Sequence, residues 1–458
     1  MLKDSITTSI FDLFKIGPGP SSSHTIGPMK AAFDFLQRAN ALTYFQTADN
    51  IKIMIHLYGS LSATGKGHGT DRAVIAGLLG WLPETCDPTE FINLLKNPDE
   101  IYSIEIKEKS IPVNTKNIIF EKSKYESPHP NTLIFKLLSN DGVLLEEEYY
   151  SVGGGFIQRK GEDLQAQNIK NPAFAYSTMK EFKEHLVTHK MTLTDLMIAN
   201  EMSLTGFSRK EIYQKIDDVL KAMHKAVKRG LRHKGVLPGT IKLRRKAPVL
   251  YEQAKNHASA SDSFMIFLNA YCIAASEENA SGSIVVTAPT SGASGVIPGI
   301  FFLLRNHYHY DKQKLREGML AAAAVGFLIK HNASISGAEM GCMGEIGSAS
   351  AMAAAMLSYC AGKTIETVEA AAEIAIEHHL GMTCDPIGGY VQIPCIERNA
   401  MGAIKAYNAY LLASSGNTAD QKISLDSVIK VMRATGRDMS KKYKETSQAG
   451  LALSATEC

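Results

Sequence analysis

The 458-residue chain has little of what nucleic-acid-binding proteins use. It contains one tryptophan, aromatic residues make up 8% of the chain, and the formal net charge is only +3. Base-stacking surfaces and extended basic arms are therefore not expected. The short basic run KLRRK at 242–246 is more typical of a solvated helix end or loop than of a nucleic-acid patch. The composition predicts no nucleic-acid partner.

Long apolar runs are also missing. The longest candidates are Gly318 to Ile329 and Gly295 to Leu304. Both are shorter than the roughly 20 residues that span a bilayer, and both are typical of buried core helices. The N-terminus lacks the apolar segment and the cleavage site of a signal peptide. We therefore expect no membrane partner and a cytoplasmic location.

The seven cysteines show no C-x-x-C spacing, which excludes a zinc ribbon and a thioredoxin motif. A reducing cytosol also disfavours disulfides. Cys342 and Cys384 are 42 positions apart, and ten residues separate Cys384 from Cys395, each in a glycine-rich segment. Thiolates on such turns suit an iron–sulfur cluster, whose ligands must come from several directions. Spacing alone leaves three unrelated buried thiols as an equal alternative.

Three cysteines on a four-iron cluster would leave one iron open. An open iron is a Lewis acid that holds a hydroxyl group and helps it to leave. On that interpretation the cluster is a dehydration catalyst rather than an electron carrier.

The chain changes character near residues 160–175. Before that point, alternating apolar residues at 51–57 predict a half-buried strand, Asn140–Gly142 predicts a hairpin turn, and helices are expected near 27–38, 71–81 and 88–96. After it, the pattern is helical, with helices expected near 208–231, 311–330, 346–361, 364–378, 399–413 and 424–434. The fold class predicted is α+β, with an N-terminal α+β domain at 1–165 and a larger all-α domain at 166–458.

Three polar loops offer hydroxyls and backbone donors to a small polar molecule. Helix starts bind carboxylates through their backbone N–H groups, although a plain Ser or Thr helix cap is the alternative. The candidate residues are Ser21, Ser22, Ser23, His24 and Thr25 in GPGPSSSHTIGP, Thr290, Ser291 and Ser294 in TAPTSGASGVIPG, and Asn332 in KHNASISGAEMG.

The segment YGSLSATGKGHGTDRA (58–73) has glycines and a lysine but not the spacing of a phosphate-binding loop. Nucleotide binding is therefore not expected there. The remaining interpretation is a mobile loop that carries Lys66, His68 and Thr70, with the next helix starting at Asp71. A histidine in such a loop is a candidate general acid or base, and an exposed turn histidine is the alternative.

Taken in order along the chain, these motifs resemble the bacterial iron–sulfur-dependent L-serine dehydratases in their single-chain form. The resemblance rests on segments spread over nearly the whole sequence, which makes it far more specific than any single motif. The segments are GPGPSSSHTIGPMKAA, YGSLSATGKGHGTDRA, SVGGGF, APTSGASGVIPG, NASISGAEMGCMGEIG, CDPIGGYVQIPCIERNA and TGRDMSKKYKETSQAGLA.

The resemblance implies that L-serine is converted to pyruvate and ammonia by a [4Fe–4S] cluster, with no pyridoxal phosphate. It places the cluster on Cys342, Cys384 and Cys395. It also implies that the N-terminal domain is similar to the allosteric substrate-binding domain of some phosphoglycerate dehydrogenases, and that the larger all-α domain is catalytic. Members of the family are commonly dimers, so a homodimer is expected.

Serine is small, zwitterionic and carries a hydroxyl group, which matches the polar loops. The Ser21–Thr25 loop is suited to its carboxylate or ammonium group, and the open iron to its β-hydroxyl. A base then removes the α-proton, the hydroxyl leaves, and the aminoacrylate is hydrolysed to pyruvate and ammonia. The candidate bases, in order, are His68, Lys66 and His24. All three lie in the N-terminal domain, so we expect that domain to close over the cluster.

Cys458, the last residue, combines a thiol with the terminal carboxylate. It is a hypothetical fourth ligand that occupies the open iron in the resting enzyme and is displaced by L-serine, whereas a frayed terminus is the alternative.

Other functions stay open at this point. They are a non-catalytic iron–sulfur sensor, a pyridoxal-phosphate lyase, and the same chemistry on L-threonine or L-cysteine. The lyase requires a Schiff-base lysine, for which no suitable loop is visible. A separate regulatory serine site in the N-terminal domain is also open.

Overall fold

The computed structural model describes residues 5–43, 49–122, 126, 128–162, 171–447 and 449–454. The N-terminal part mixes helices and strands. They are α1 (Ile10–Leu13), β1 (Ile16–Pro18), α2 (Gly27–Ala41), β2 (Lys52–Gly59), α3 (Ser60–His68), α4 (Thr70–Leu78), α5 (Pro88–Asn93), β3 (Tyr102–Ile106), β4 (Lys109–Val113), β5 (Ile118–Phe120), β6 (Asn131–Ser139), β7 (Gly142–Ser151) and β8 (Ile157–Arg159).

A mixed sheet organises this part, with the strand order β5-β2-β6-β7-β8 among the described residues. Strand β2 runs parallel to β5 and antiparallel to β6. The alternation predicted for 51–57 is confirmed, since Ile53, Ile55 and Leu57 are fully buried in the domain core. The predicted hairpin joins β6 to β7. Helices α2, α4 and α5 correspond to the three that the sequence predicts in this half.

The prediction of a mobile loop around Lys66 and His68 is wrong, because residues 60–68 form helix α3. The helix is bounded by Gly59 (φ 59°) and Gly69 (φ 68°), whose left-handed backbone favours glycine. Successive turns of a helix stack residues four apart on one face. Ser60, Thr64 and His68, which follow one another at intervals of four residues, therefore lie on one polar face of α3.

The C-terminal part is helical. Its elements are α6 (Met179–His189), α7 (Leu193–Thr205), α8 (Arg209–Gly230), α9 (Ala247–Asn256), α10 (Ala260–Ala280), β9 (Ile284–Val286), α11 (Val296–Asn306), α12 (Lys312–Asn332), α13 (Gly337–Met340), α14 (Ser348–Cys360), α15 (Ile365–Glu377), α16 (Cys395–Ser415) and α17 (Leu425–Asp438). The predicted α+β domain followed by an all-α domain is confirmed. Within the described ranges, no helix has the length and apolar character needed to cross a membrane.

The first described residues of the chain pack with the helical part rather than with the sheet. Ile6, Ile10, Leu13 and Phe14 belong to the helical core. Strand β1 then pairs antiparallel with β9, with Ile16 opposite Val286. This crossing places the loop that follows β1 at the junction of the two parts, where the candidate site lies.

Candidate active site

The SSSHT segment forms a short π-helical turn, Ser22–Ile26, that leads into α2. Ser21 caps it, since the hydroxyl of Ser21 accepts a hydrogen bond from the His24 backbone N–H at 3.1 Å. The hydroxyl of Ser151 at the end of β7 donates to the Ser23 carbonyl at 2.7 Å. His24 and Thr25 are fully buried. The loop is therefore a rigid, buried unit fixed by its own serines and by the sheet.

His24 forms hydrogen bonds through both ring nitrogens. Its Nε2 lies 3.2 Å from Ser60 Oγ and 3.0 Å from Thr64 Oγ1. Those two hydroxyls already donate their protons to backbone carbonyls, Ser60 to Glu445 O at 2.8 Å and Thr64 to Ser60 O at 2.9 Å. A hydroxyl has one proton to give, so Nε2 must be the donor in both contacts. Nε2 therefore carries a proton, and Nδ1 is the ring nitrogen that faces Ser23 Oγ, at 2.9 Å, and Glu445.

Nδ1 of His24 faces Glu445, with 3.2 Å between Nδ1 and Oε1. The Ser23 hydroxyl donates to the same Oε1 at 3.1 Å. Burial favours the neutral carboxyl, but the neighbouring His24 and His68 and the Ser23 hydrogen bond outweigh it and lower the pKa of Glu445. The other carboxylate oxygen, Oε2, is buried without a hydrogen-bond partner among the described residues.

His68 lies against His24, with ring centroids 4.5 Å apart. It donates from Nδ1 to the Thr64 carbonyl at 2.9 Å, one helical turn earlier. Burial and then the adjacent His24 lower the pKa of His68 to about 4. His68 is therefore neutral at physiological pH, and it borders the His24–Glu445 pair from the side of α3.

Glu445 also connects this pair to the cysteines. The segment around it pairs with the backbone of Cys384, because Cys384 N donates to Tyr443 O at 2.7 Å and Thr446 N donates to Cys384 O at 3.1 Å. Residues from both parts of the chain thus meet at one place. The closure of the N-terminal domain over the cysteines stays a prediction.

The three predicted cluster cysteines are all buried in the helical part. Cys342 precedes a π-helical turn, Cys384 lies in the loop after α15, and Cys395 starts α16. The ligand atoms of Cys342, Cys384 and Glu345 lie within 4.8 Å of one another. A hydrogen bond with Cys384 outweighs burial and, with nearby Arg398, lowers the pKa of Cys342 to about 7. This set of donors fits a metal centre with thiolate ligands.

Cys395 belongs to the same electrostatic group. Burial, followed by the negative charge of Cys342, raises the pKa of Cys395, while Arg398 opposes the shift. Arg398 stands one turn after Cys395 on α16, and its guanidinium donates to the Thr383 carbonyl at 2.6 Å. This arginine therefore supplies positive charge to all three thiols and fixes the loop that carries Cys384.

The TAPTSGASG loop approaches the cysteines through Glu345. The Thr290 hydroxyl donates to Glu345 Oε1 at 2.7 Å. A Cβ atom at Gly292 would lie 2.8 Å from the same oxygen, and one at Gly337 would lie 3.0 Å from Oε2 and 3.6 Å from Cys384 Sγ. Two glycines therefore permit the close approach of three segments. Burial, followed by the charges of Cys342 and Glu445, raises the pKa of Glu345 well above its ordinary value.

Several hydroxyls near these segments are buried without a hydrogen-bond partner among the described residues, including those of Ser291, Ser294 and Ser336. The backbone N–H of Ser291 donates to Ser22 Oγ at 3.3 Å, which joins the two polar loops. Unpartnered buried hydroxyls are costly in a folded protein. They indicate a place for a small polar molecule between the loops.

A cleft of about 1720 Å³ opens beside the site. Ser60, Thr64 and Glu445 line its inner wall, and Lys66 and His129 line it as well. Lys66 is exposed, and its Nζ lies 5.4 Å from the centroid of the Phe120 ring. The helix thus turns Lys66 away from His24.

The remaining predicted residues have structural contacts. Thr25 donates to the His68 carbonyl at 2.8 Å, and Thr70 is buried beside Gly65. Asn332 donates to the carbonyls of Ser177 and Leu328 at 2.7 and 3.0 Å, at the end of α12, and these contacts do not bring it to the pair or the cysteines. Cys458 lies outside the described residues.

Several residues of the site escaped the sequence reasoning. They are Ser60, Thr64, His129, Glu345, Arg398 and Glu445. All except His129 lie in or beside the motifs quoted above, but charged residues in glycine-rich or lysine-rich stretches are usually solvated. The available signal was the four-residue spacing of Ser60, Thr64 and His68.

Two family models match the chain. The model described as the serine dehydratase beta chain matches residues 9–162, and the one described as the serine dehydratase alpha chain matches residues 188–452. The beta-chain match contains the mixed sheet, and the alpha-chain match contains Cys342, Cys384 and Cys395.

Relatives from several bacteria align over nearly the full length. The L-serine dehydratase of Streptomyces coelicolor and L-serine dehydratase 2 of Escherichia coli are each 40% identical to this chain, covering 98% of it and 99% of the relative. An L-serine dehydratase of Helicobacter pylori is 41% identical over 97% of this chain and 98% of its own length. These matches confirm the resemblance drawn from the motifs, and the chain belongs to the serine dehydratase family, with the beta-chain and alpha-chain parts joined in one polypeptide.

Proposed function

We propose that this chain is an L-serine ammonia-lyase, which removes water and then ammonia from L-serine to leave pyruvate. Relatives that align over 97–98% of the chain carry the name L-serine dehydratase. The observation that supports this most directly is the buried His24–Glu445 pair beside the buried thiols. Elimination of water from serine requires a base at the α-carbon and an acid at the β-hydroxyl.

Cys342, Cys384 and Cys395 are the proposed ligands of a [4Fe–4S] cluster. The glycines allow the segments to approach closely, and the positive charge of Arg398 favours the thiolate form of all three cysteines against the effect of burial. When bound, a cluster with one iron free of these cysteines supplies a Lewis acid for the serine hydroxyl. Cys458 remains the proposed ligand of that iron in the resting enzyme.

We assign proton transfer to the Glu445–His24 pair rather than to His68 or Lys66. Oε2 of Glu445 is buried without a hydrogen-bond partner among the described residues, and Glu445 lines the cleft beside the site. Nδ1 of His24 lies 3.2 Å from the other oxygen, Oε1. The Glu445 carboxylate is the proposed acceptor of the α-proton of the substrate, and His24, which holds Oε1 through Nδ1, keeps that carboxylate ionised until the proton arrives. His68 is a positioning residue, because its neutral ring packs against His24 and holds the ring plane.

The serine carboxylate and ammonium groups are proposed to bind between the two joined loops. The hydroxyls of Ser291 and Ser336 and the turn at Ser21–Ser23 supply donors and acceptors there. Because Gly292 and Gly337 carry no side chain, the segments around Glu345 approach one another closely. The space between them is therefore narrow, which suits a substrate with a single-carbon side chain.

The first test is purification without oxygen, followed by measurement of iron, absorbance near 400 nm and pyruvate formation from L-serine. The proposal expects brown protein with about four irons per chain that makes pyruvate and loses activity in air. Colourless protein that still makes pyruvate would overturn the cluster. Brown protein without turnover on any β-hydroxy amino acid would overturn the enzyme and favour a sensor.

A pair of thiol variants sharpens the test. Cys384→Ser should lose bound iron and activity together. Cys360→Ser is the matched control, since Cys360 is an equally buried thiol at the end of α14 whose Sγ donates to Lys314 O at 3.3 Å. If both variants keep their iron, Cys384 is not a ligand.

A further inference from the structure

A groove runs along the outer face of α8 and is also lined by residues of α9, α11 and α12. It consists of two adjacent depressions of about 630 and 480 Å³, and His224 lines both. We call it the α8–α11 groove. Each depression has a volume in the range of small-molecule sites, about 300–1,000 Å³. None of its lining residues belongs to the candidate active site.

Basic side chains follow one edge of this groove. Lys221, Lys225, Lys228 and Arg232 are spaced by four, three and four residues on α8, which places them on one helical face. Arg305 faces them from α11. Within the described ranges none of these five cations forms an ion pair. Like charges at such spacing destabilise a helix, so an anionic ligand would relieve their repulsion.

Two of the three carboxylates that line the groove are paired with cations. Asp217 pairs with Lys312 and Arg316, at 2.7 and 2.6 Å, and Glu252 pairs with Lys255 at 2.8 Å. Asp218 accepts a hydrogen bond from the neutral Gln214 and keeps its charge, so one carboxylate stands against the five unpaired cations. The unbalanced charge of the groove is therefore positive.

His224 lies between the two depressions, with Arg305 lining one of them and Lys228 the other. Its ring stacks on Phe302 with centroids 5.0 Å apart, and its Nδ1 is buried without a hydrogen-bond partner among the described residues. Burial, followed by the positive charges of Arg305 and Lys228, lowers the pKa of His224. Both cations are thus close enough to act on one imidazole between the two depressions.

The floor of the larger depression is apolar. Leu220, Phe301 and Leu315 form it, and each is at most 6% exposed. An apolar floor under a cationic rim is complementary to a molecule with an uncharged body and a highly charged group. A monocarboxylate such as serine or pyruvate would leave most of the five cations unbalanced.

We propose that the α8–α11 groove binds an organic phosphate of nucleotide size. The phosphate groups lie against Lys225, Lys228 and Arg305, because a fork of Arg donors and flexible Lys ammonium groups suits phosphate oxygens. The uncharged body lies over Leu220 and Phe301. This site is separate from the proposed conversion of L-serine.

The test is calorimetric titration of the whole enzyme with ADP as the probe. The variant Lys225→Gln/Arg305→Gln should weaken ADP binding at least tenfold. The control Lys210→Gln/Lys363→Gln removes the same charge from exposed positions that line neither depression, and should leave it unchanged. Circular dichroism and L-serine turnover check that both variants fold. No binding to wild type, or equal binding by the groove variant and the control, would overturn the proposal.

Measurements on the wild type keep the proposal testable if the groove variant fails to fold. ADP binding should weaken as salt rises from about 50 to 200 mM, since exposed cations hold it. Pyrophosphate should compete with ADP but bind more weakly, because it lacks a body for the apolar floor. Pyrophosphate that binds as tightly as ADP, or citrate that binds as tightly as either, would overturn the assignment of an organic phosphate.

Discussion

Oε1 of Glu445 lies 3.2 Å from Nδ1 of His24, which joins a residue near the end of the described chain to one near its start. The contact crosses the two parts that the family models match separately. Glu445 also neighbours Cys384 through backbone hydrogen bonds. A shift of the sheet-containing part relative to the helical part would therefore separate His24 from Glu445, whereas Glu445 would stay beside Cys384.

The carboxylate charge of Glu445 is the first point to test. Glu445→Gln keeps the shape and the hydrogen-bonding capacity toward Ser23 but removes the charge and the proton acceptor. We expect kcat to fall by roughly 10²–10⁴, the usual contribution of a general base, with the iron content unchanged.

The matched control for that change is Glu121→Gln. Glu121 lines the same cleft but pairs with His56 at 2.7 Å, away from His24. It should stay within a few-fold of wild type. Retention of most of kcat by the Glu445 variant would exclude the charge from the chemical step.

The order of the candidate bases can be tested directly. His24→Asn should abolish most of the activity, because it removes Nδ1 and the donor to Ser60 and Thr64. Lys66→Gln should change kcat less than about threefold, since Lys66 is exposed and lies over Phe120. Steady-state kinetics on both variants, at equal iron content, would show which of the two residues contributes to kcat. A hundredfold loss in the lysine variant would reverse the assignment.

The sequence predicted the fold class, but not the arrangement around His24, and the ligand role of the three cysteines stays a prediction. Alternation at 51–57 and the helical periodicity after residue 175 depend on local burial, which a sequence displays directly. The His24–Glu445 contact depends on a crossing of β1 to β9 that no local pattern encodes. Helix α3 was missed because its two internal glycines and lysine look like a loop, whereas its ends are set by Gly59 and Gly69.

Gly292 provides a test of the approach between the TAPTSGASG loop and Glu345. In Gly292→Ala the new Cβ would lie 2.8 Å from Glu345 Oε1, at the end of a flexible side chain that can move. We therefore expect Tm to change little while kcat/KM falls at least tenfold, because the Thr290–Glu345 hydrogen bond is displaced. Gly416→Ala, at the exposed end of α16, is the control. A large loss of Tm without a specific loss of activity would contradict this account.

Glu277 on α10 predicts a pH dependence of stability that is independent of catalysis. It is 1% exposed, its Oε2 has no hydrogen-bond partner among the described residues, and burial raises its pKa to about 7 from an ordinary 4.5. The unfolded chain releases this proton near pH 4.5 and the folded chain near pH 7. The stabilisation from the neutral carboxyl is therefore complete below pH 4.5 and is lost as the pH rises to 7.

Glu277→Gln removes that loss, because the amide stays neutral. The variant should gain on the order of 3 kcal/mol relative to wild type at pH 8, since one pKa unit corresponds to about 1.4 kcal/mol, and much less at pH 5. Thermal unfolding of both proteins at the two pH values measures the difference as a shift in Tm. Glu252→Gln, on the exposed side of α9, should show no such pH-dependent gain. Equal Tm differences at pH 5 and pH 8 would mean that Glu277 is already ionised in the folded protein.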